Sequence, residues 1–171
     1  MPVRDIEWYA SGRDRIVHHA NRGANGIDGV VSTAIGVALA GQRVVALVGD
    51  IAFLHDSSAL IALARRSIDL TIVVVDNDGG GIFSFLAQAD ALERDRFELL
   101  FGTPHGTDIP ALARAHHLDT VSVDTAEGFG LAYRAAVDAA GVRVIVARTD
   151  RIENVNAHRR IHEAVARAIT V

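Results

Sequence analysis

Two short apolar runs, each broken off by acids, an amide or glycine, constrain this chain more than any other feature. Val44-Val45-Ala46-Leu47-Val48 stops at Gly49-Asp50, and Leu70-Thr71-Ile72-Val73-Val74-Val75 stops at Asp76-Asn77-Asp78-Gly79-Gly80-Gly81. Runs this short, β-branched and uninterrupted are the pattern of parallel strands buried on both faces. Ile51 to Arg66 between them reads as a helix, which makes the stretch one β-α-β unit. A right-handed crossover then puts both strand ends on one edge of the sheet. Asp50 and Asn77 are expected side by side there, in the crevice where open α/β sheets bind ligands.

The residue types at that edge point to a metal and a phosphate. Asp50 offers a hard carboxylate and Asn77 a neutral amide oxygen. The glycines after Asn77 expose backbone groups without side-chain obstruction. Oxygens of this kind, completed by phosphate and water, suit octahedral Mg²⁺. A helix N-terminus following Asp50 favours a phosphate in the same crevice. The expectation is a Mg²⁺-diphosphate site. The competing reading is a nucleotide-type α/β domain in which Asp50 only caps a helix and the glycines only turn a loop.

A resemblance narrows this. Gly49-Asp50 followed at mid-twenties spacing by Asn77 resembles the thiamin diphosphate signature. The flanking stretches Asn21-Arg22-Gly23-Ala24-Asn25-Gly26-Ile27-Asp28-Gly29, Ser32-Thr33-Ala34, Asp50 to Asp56, Asn77 to Ser84 and Phe101-Gly102-Thr103-Pro104-His105 extend it. Together they are similar to the cofactor-binding C-terminal domain of the 2-succinyl-5-enolpyruvyl-6-hydroxy-3-cyclohexene-1-carboxylate synthase family of menaquinone biosynthesis. The resemblance covers essentially the whole chain. Two departures are visible: Ile51 stands where the general signature has glycine, and Asp76 where it has a first asparagine.

The resemblance implies the thiamin diphosphate-binding fold, α/β with a parallel sheet and helices on both faces. It implies thiamin diphosphate with Mg²⁺ or Mn²⁺ as cofactors, the metal held by Asp50, Asn77 and the Gly79 carbonyl. Gly49, Ile51, Ala52, Gly80 and Gly81 would give backbone contacts to the diphosphate. Ile27 would prop the cofactor in a bent form, with Gly26 also cofactor-binding and Ile82 and Phe83 walling its thiazolium. Arg4 and Arg22 would take substrate carboxylates, for which bidentate arginine pairing is the expected solution. The implied activity is a decarboxylating, C–C bond-forming transfer from 2-oxoglutarate to isochorismate. Such synthases have about three domains' worth of chain, and residues 1–171 correspond to the last alone, without the pyrimidine-binding and central domains. The family's catalytic glutamate lies in the pyrimidine-binding domain, so none is expected here, and the isolated chain is expected to be inactive. It would act as a homo-oligomer or pair with a chain carrying the missing domains. A thiamin enzyme of the acetolactate synthase kind, or a non-catalytic binding chain, are the rival readings.

Composition bounds the rest. A chain of 171 residues, half of them hydrophobic, is one domain by length and has material for a full core. A net charge of −4 suggests neither a nucleic-acid surface nor a polybasic membrane anchor. All 17 basic residues other than histidine are arginines, and there is no cysteine for disulfide or thiol chemistry. Met1-Pro2-Val3-Arg4-Asp5 is not a signal peptide, and no apolar run approaches the about 18–20 residues needed to cross a bilayer. A soluble cytoplasmic protein is the expectation.

The remaining expectations follow in chain order. Pro2 to Ala10 reads as a short helix, Ile16-Val17-His18-His19 as a strand, Asn21 to Gly29 as a loop, and Ile27 to Ala40 as a helix of small and apolar residues. Ala87 to Arg96 reads as helix or loop. Asp108 caps a helix to His117, with Pro110 in its first turn. Thr120 to Val123 and Val142 to Ala147 are strands around a helix from Thr125 that Gly141 ends, and Glu153 or Asn154 to Ile169 is a final helix. The adjacent pairs His18-His19 and His116-His117 cannot converge on one ion. His55 and His105 fall near the crevice, where structural roles are the simpler expectation.

Overall fold

The computed structural model describes residues 2–21, 23–24 and 26–170. Arg22, expected to take a substrate carboxylate, lies outside them. The chain forms two compact units, one of residues 1–76 and 107–148, the other of residues 77–106 and 149–171.

The first unit contains the sheet. Its elements are α1 (Pro2–Tyr9), α2 (Val30–Leu39), β1 (Val44–Gly49), α3 (Asp50–His55), β2 (Leu70–Asp76), α6 (Ile109–Ala115), β3 (Asp119–Val123), α7 (Ala126–Asp138) and β4 (Val142–Arg148). The four strands are all parallel, in the order β1-β2-β4-β3. Alternation along them sorts the core into two layers. Ala46, Val48, Ile72, Val74, Val144 and Val146 pack with Val31, Ile35, Phe53, Ile109 and Ala113 on one face. Val73 and Ile145 pack with Leu47, Phe129 and Tyr133 on the other. Each fully buried side chain of this size contributes about 1.5–3 kcal/mol, which makes the strand runs the main stabilising feature of the unit. The second face is narrower: Val45 on β1 and Val121 on β3 stay exposed.

Caps set the boundaries of several helices. The Asp108 side chain accepts from the Ala111 N–H at 2.8 Å, and Thr125 from Gly128 at 3.1 Å. Gly141, at φ 95°, turns the chain into β4.

Three expectations are corrected in this unit. The helix expected over Ile51–Arg66 is only α3, followed by 3₁₀ turns at Ser57–Leu60 and Leu63–Arg65. It breaks because the Asp56 side chain is committed to Ser32 and Ala62 takes a left-handed φ of 58°. Ile16 to His19 forms no strand: it has no ladder partner among the described residues, and Ile16 and Val17 are exposed. The helix expected from Ile27 starts at Val30, since Gly29 at φ 65° ends a turn there.

The second unit has no strand among its described residues. It contains a 3₁₀ turn at Gly81–Phe85, then α4 (Ala87–Ala91), α5 (Arg94–Phe97), a π turn at Glu98–Gly102 and α8 (Arg151–Ile169). Asp150 caps α8, accepting from Ile152 at 2.8 Å and Glu153 at 2.9 Å, which moves the helix start ahead of the expected Glu153. The Arg151 guanidinium pairs with Glu98 at 2.8 Å, and Phe97 stacks on Phe101.

Candidate functional site

In the first unit, the paired apolar runs bring two acids to one edge. β1 and β2 run in register to the pair Gly49 and Val75. Asp50 and Asp76 follow these two residues, at the carboxyl ends of neighbouring strands. Asp50 is buried at 2% exposure. The cap position of α3 is Gly49, not Asp50, and the Asp50 Oδ1 accepts from the adjacent Ile51 N–H at 2.8 Å. Ile51 and Ala52 are half-buried in the first turn.

Near the same edge lies the turn before α2. A Cβ on Gly26 would come 4.0 Å from the Gly23 carbonyl oxygen, and Ile27 is 37% exposed. The Asn21 side-chain amide donates to the Asp28 carbonyl at 3.2 Å. α1 lies against β1. A Cβ on Gly49 would come 4.0 Å from Pro2 Cδ, so the first turn of α1, with the exposed Arg4, starts beside the Gly49 strand end.

The glycine loop belongs to the second unit and is held by its own contacts. A Cβ on Gly81 would lie 2.8 Å from Asn77 Nδ2 and 3.3 Å from its Oδ1, so only glycine leaves the Asn77 amide where it is. Gly79 has φ 141°, and a Cβ there would overlap the Gly102 carbonyl oxygen. That same carbonyl accepts from Gly80 N–H at 2.8 Å, and the Gly79 carbonyl accepts from Gly81 at 2.9 Å. Asp78, at φ 55°, accepts through Oδ1 from the backbone of His105 at 3.0 Å and of Gly106 at 2.8 Å. Phe83 packs against Phe101 with ring centroids 5.7 Å apart and stays 37% exposed; Ile82 is half-buried.

A family model described as thiamine pyrophosphate enzyme, C-terminal TPP binding domain, matches residues 9–147. The chain belongs to that family. The match takes in the strand ends of the first unit and the glycine loop of the second. Curated relatives of this thiamine pyrophosphate-binding chain include a 2-succinyl-5-enolpyruvyl-6-hydroxy-3-cyclohexene-1-carboxylate synthase of Saccharopolyspora erythraea. It is 48% identical over 170 residues, which is 98% of this chain and 30% of the relative. A protein of the same name from Myxococcus xanthus is 43% identical over 171 residues, 99% of this chain and 29% of that one. The chain thus spans about three tenths of the length of the curated relatives it matches. Among solved structures, a thiamine diphosphate-dependent 4-hydroxybenzoylformate decarboxylase of Rhodococcus jostii RHA1 superposes with a TM-score of 0.60 at 27% identity, over 71% of this chain and 23% of that one. The α/β fold with a parallel sheet is the fold of thiamin enzymes.

Taken one by one, the donor types suit a divalent metal ion. A buried carboxylate, an amide oxygen with space reserved for it by Gly81 and a glycine carbonyl are hard oxygen donors of the kind Mg²⁺ or Mn²⁺ takes. Sequence reasoning missed Asp78, Asp56 and the Glu98–Arg151 pair. Asp78 left a faint signal, since Asp before glycine tolerates left-handed backbone. The other two join positions far apart in sequence and leave none. Among the described residues, no helix is long and apolar enough to cross a membrane.

Proposed function

We propose that residues 1–171 form the single Mg²⁺- and thiamin diphosphate-binding domain of a cytoplasmic synthase that joins decarboxylated 2-oxoglutarate to isochorismate in menaquinone biosynthesis. The observation that carries this reading is the buried Asp50 at the carboxyl end of β1, in a chain whose Asn77 follows directly on the end of β2. The product for which the relatives are named supports the choice of reaction.

In this reading Asp50, Asn77 and the Gly79 carbonyl hold Mg²⁺ or Mn²⁺. The backbone of Gly49, Ile51, Ala52, Gly80 and Gly81 takes the diphosphate. Gly26 and Ile27 support the organic half of the cofactor, with Ile82 and Phe83 beside it. Arg4 and Arg22 bind the carboxylates of 2-oxoglutarate and isochorismate, where a lost bidentate contact costs about 1.5–3 kcal/mol. Thiamin diphosphate supplies the electron sink for decarboxylation and carbon–carbon bond formation. The chain's own share is to bind, orient and neutralise charge. No carboxylate of this chain serves as the acid that works on the pyrimidine ring, and a pyrimidine-binding domain supplies it across an interface, within a homo-oligomer or from a second chain. Exposed Trp8, Tyr9, Ile16 and Val17 support such pairing.

The test supplies the purified chain with Mg²⁺, thiamin diphosphate, 2-oxoglutarate and isochorismate, with and without a polypeptide carrying the pyrimidine-binding and central domains. Isochorismate loss is expected only in the mixture, since a missing acid–base group alone costs about 10²–10⁴ in rate. Steady turnover by the chain alone contradicts the absence of a catalytic acid here. A mixture that consumes a different 2-oxo acid contradicts the substrate assignment.

A further inference from the structure

Helix α2 begins without a cap of its own. Its cap position is Gly29, left-handed and without a side chain to accept from the first-turn amides. Those amides need partners. One partner comes from 24 residues further on. Asp56 accepts from the Ser32 N–H at 2.6 Å through Oδ2 and from the Ser32 hydroxyl at 2.8 Å through Oδ1. Asp56 is buried, so both bonds are shielded from water. The residue before it makes a second contact with the same turn: His55 Nε2 lies 3.3 Å from Asp28 Oδ1. Consecutive residues at the end of α3 therefore grip the chain on both sides of Gly29. α3 starts at Asp50, and the gripped turn contains Ile27.

We infer that Asp56, seconded by His55, is a positioning residue for the cofactor's organic half, because it ties the Ile27 turn to the short helix that begins at Asp50. The role rests on the proposed thiamin diphosphate site, with Ile27 against the cofactor. A prop works only when its backbone is held within about 0.5 Å of the productive place, and Gly29 offers no side chain to hold the start of α2; the Asn21 amide on the Asp28 carbonyl is an exposed contact. Of the two grips, Asp56 dominates. A buried carboxylate between two donors is a strong charge-assisted pair. The His55–Asp28 pair is half-exposed and contributes little.

The test uses the purified chain as wild type, Asp56→Ala, Asp56→Asn, Ser32→Ala and His55→Ala. Amide hydrogen exchange is followed over residues 26–33 without ligand. Affinities are then measured for Mg²⁺-pyrophosphate and for Mg²⁺-thiamin diphosphate. Asp56→Ala is expected to raise exchange at the start of α2 about tenfold, as for a lost cap, with protection in β2 retained. It is expected to weaken thiamin diphosphate about tenfold while leaving pyrophosphate within about twofold. Asp56→Asn and Ser32→Ala should show the same pattern to a smaller degree, and His55→Ala to the smallest. Unchanged exchange in Asp56→Ala, or equal loss of both ligands, overturns the inference. A wild-type chain that binds neither ligand overturns the proposed cofactor site instead, and the exchange data still decide whether Asp56 holds the turn.

Discussion

Gly81 and Asn77 share a space that admits one side chain. Gly81→Ala puts a methyl 2.8 Å from the Asn77 amide nitrogen, and an asparagine side chain is too short to swing clear without losing its direction. Gly81 is not among the residues of positive φ, so alanine brings no backbone strain. The expected outcome is a chain that folds normally but binds Mg²⁺-thiamin diphosphate about 10- to 100-fold more weakly, the usual cost of disturbing what orients a ligand. Calorimetry beside a denaturation curve checks it; unchanged affinity would mean that Asn77 holds no metal. As candidates, Asp50, Asn77 and the glycines were legible because they interrupt apolar runs. Asp78 was not, since its role depends on a loop ending at Gly106 that no periodicity connects to it.

Two helices with a local cap were legible, and a stretch shaped from a distance was not. Asp108 and Thr125 cap the helices expected of them. Thr125→Ala should lower stability by about 1 kcal/mol, read as a shifted midpoint in urea, and leave cofactor affinity untouched because α7 packs on the face away from α2 and α3. A loss of cofactor binding at full stability would mean that α7 takes part in the site. The Ile51–Arg66 stretch failed as a single helix because Asp56 answers to Ser32 rather than to its own turn. Ile16 to His19 failed as a strand for a different reason: β-branched residues make a strand only where a neighbour completes the ladder. The parallel order of the sheet followed from runs of buried residues, but the placing of β4 between β2 and β3 did not, because strand order is a property of packing and not of any one segment.

At the scale of the whole molecule, the family model covers most of the first compact unit and residues 77–106 of the second, and an acid is buried where the sheet ends. Apolar side chains such as Trp8, Ile16 and Val17 remain exposed, and about 25 cal/mol per Å² would be gained by covering them. A tendency to self-associate is therefore expected of the purified chain, with the cofactor bound more weakly than in a complete site. Binding itself should survive, because the proposed metal and diphosphate contacts all come from this chain. The measurement that tests this most directly is a calorimetric titration of thiamin diphosphate into wild type and Asp50→Ala, each with Mg²⁺ and with chelator. The account predicts binding by wild type only when Mg²⁺ is present, and none by Asp50→Ala in either condition. Equal binding by the two proteins, or binding by wild type that does not depend on a divalent ion, would contradict it.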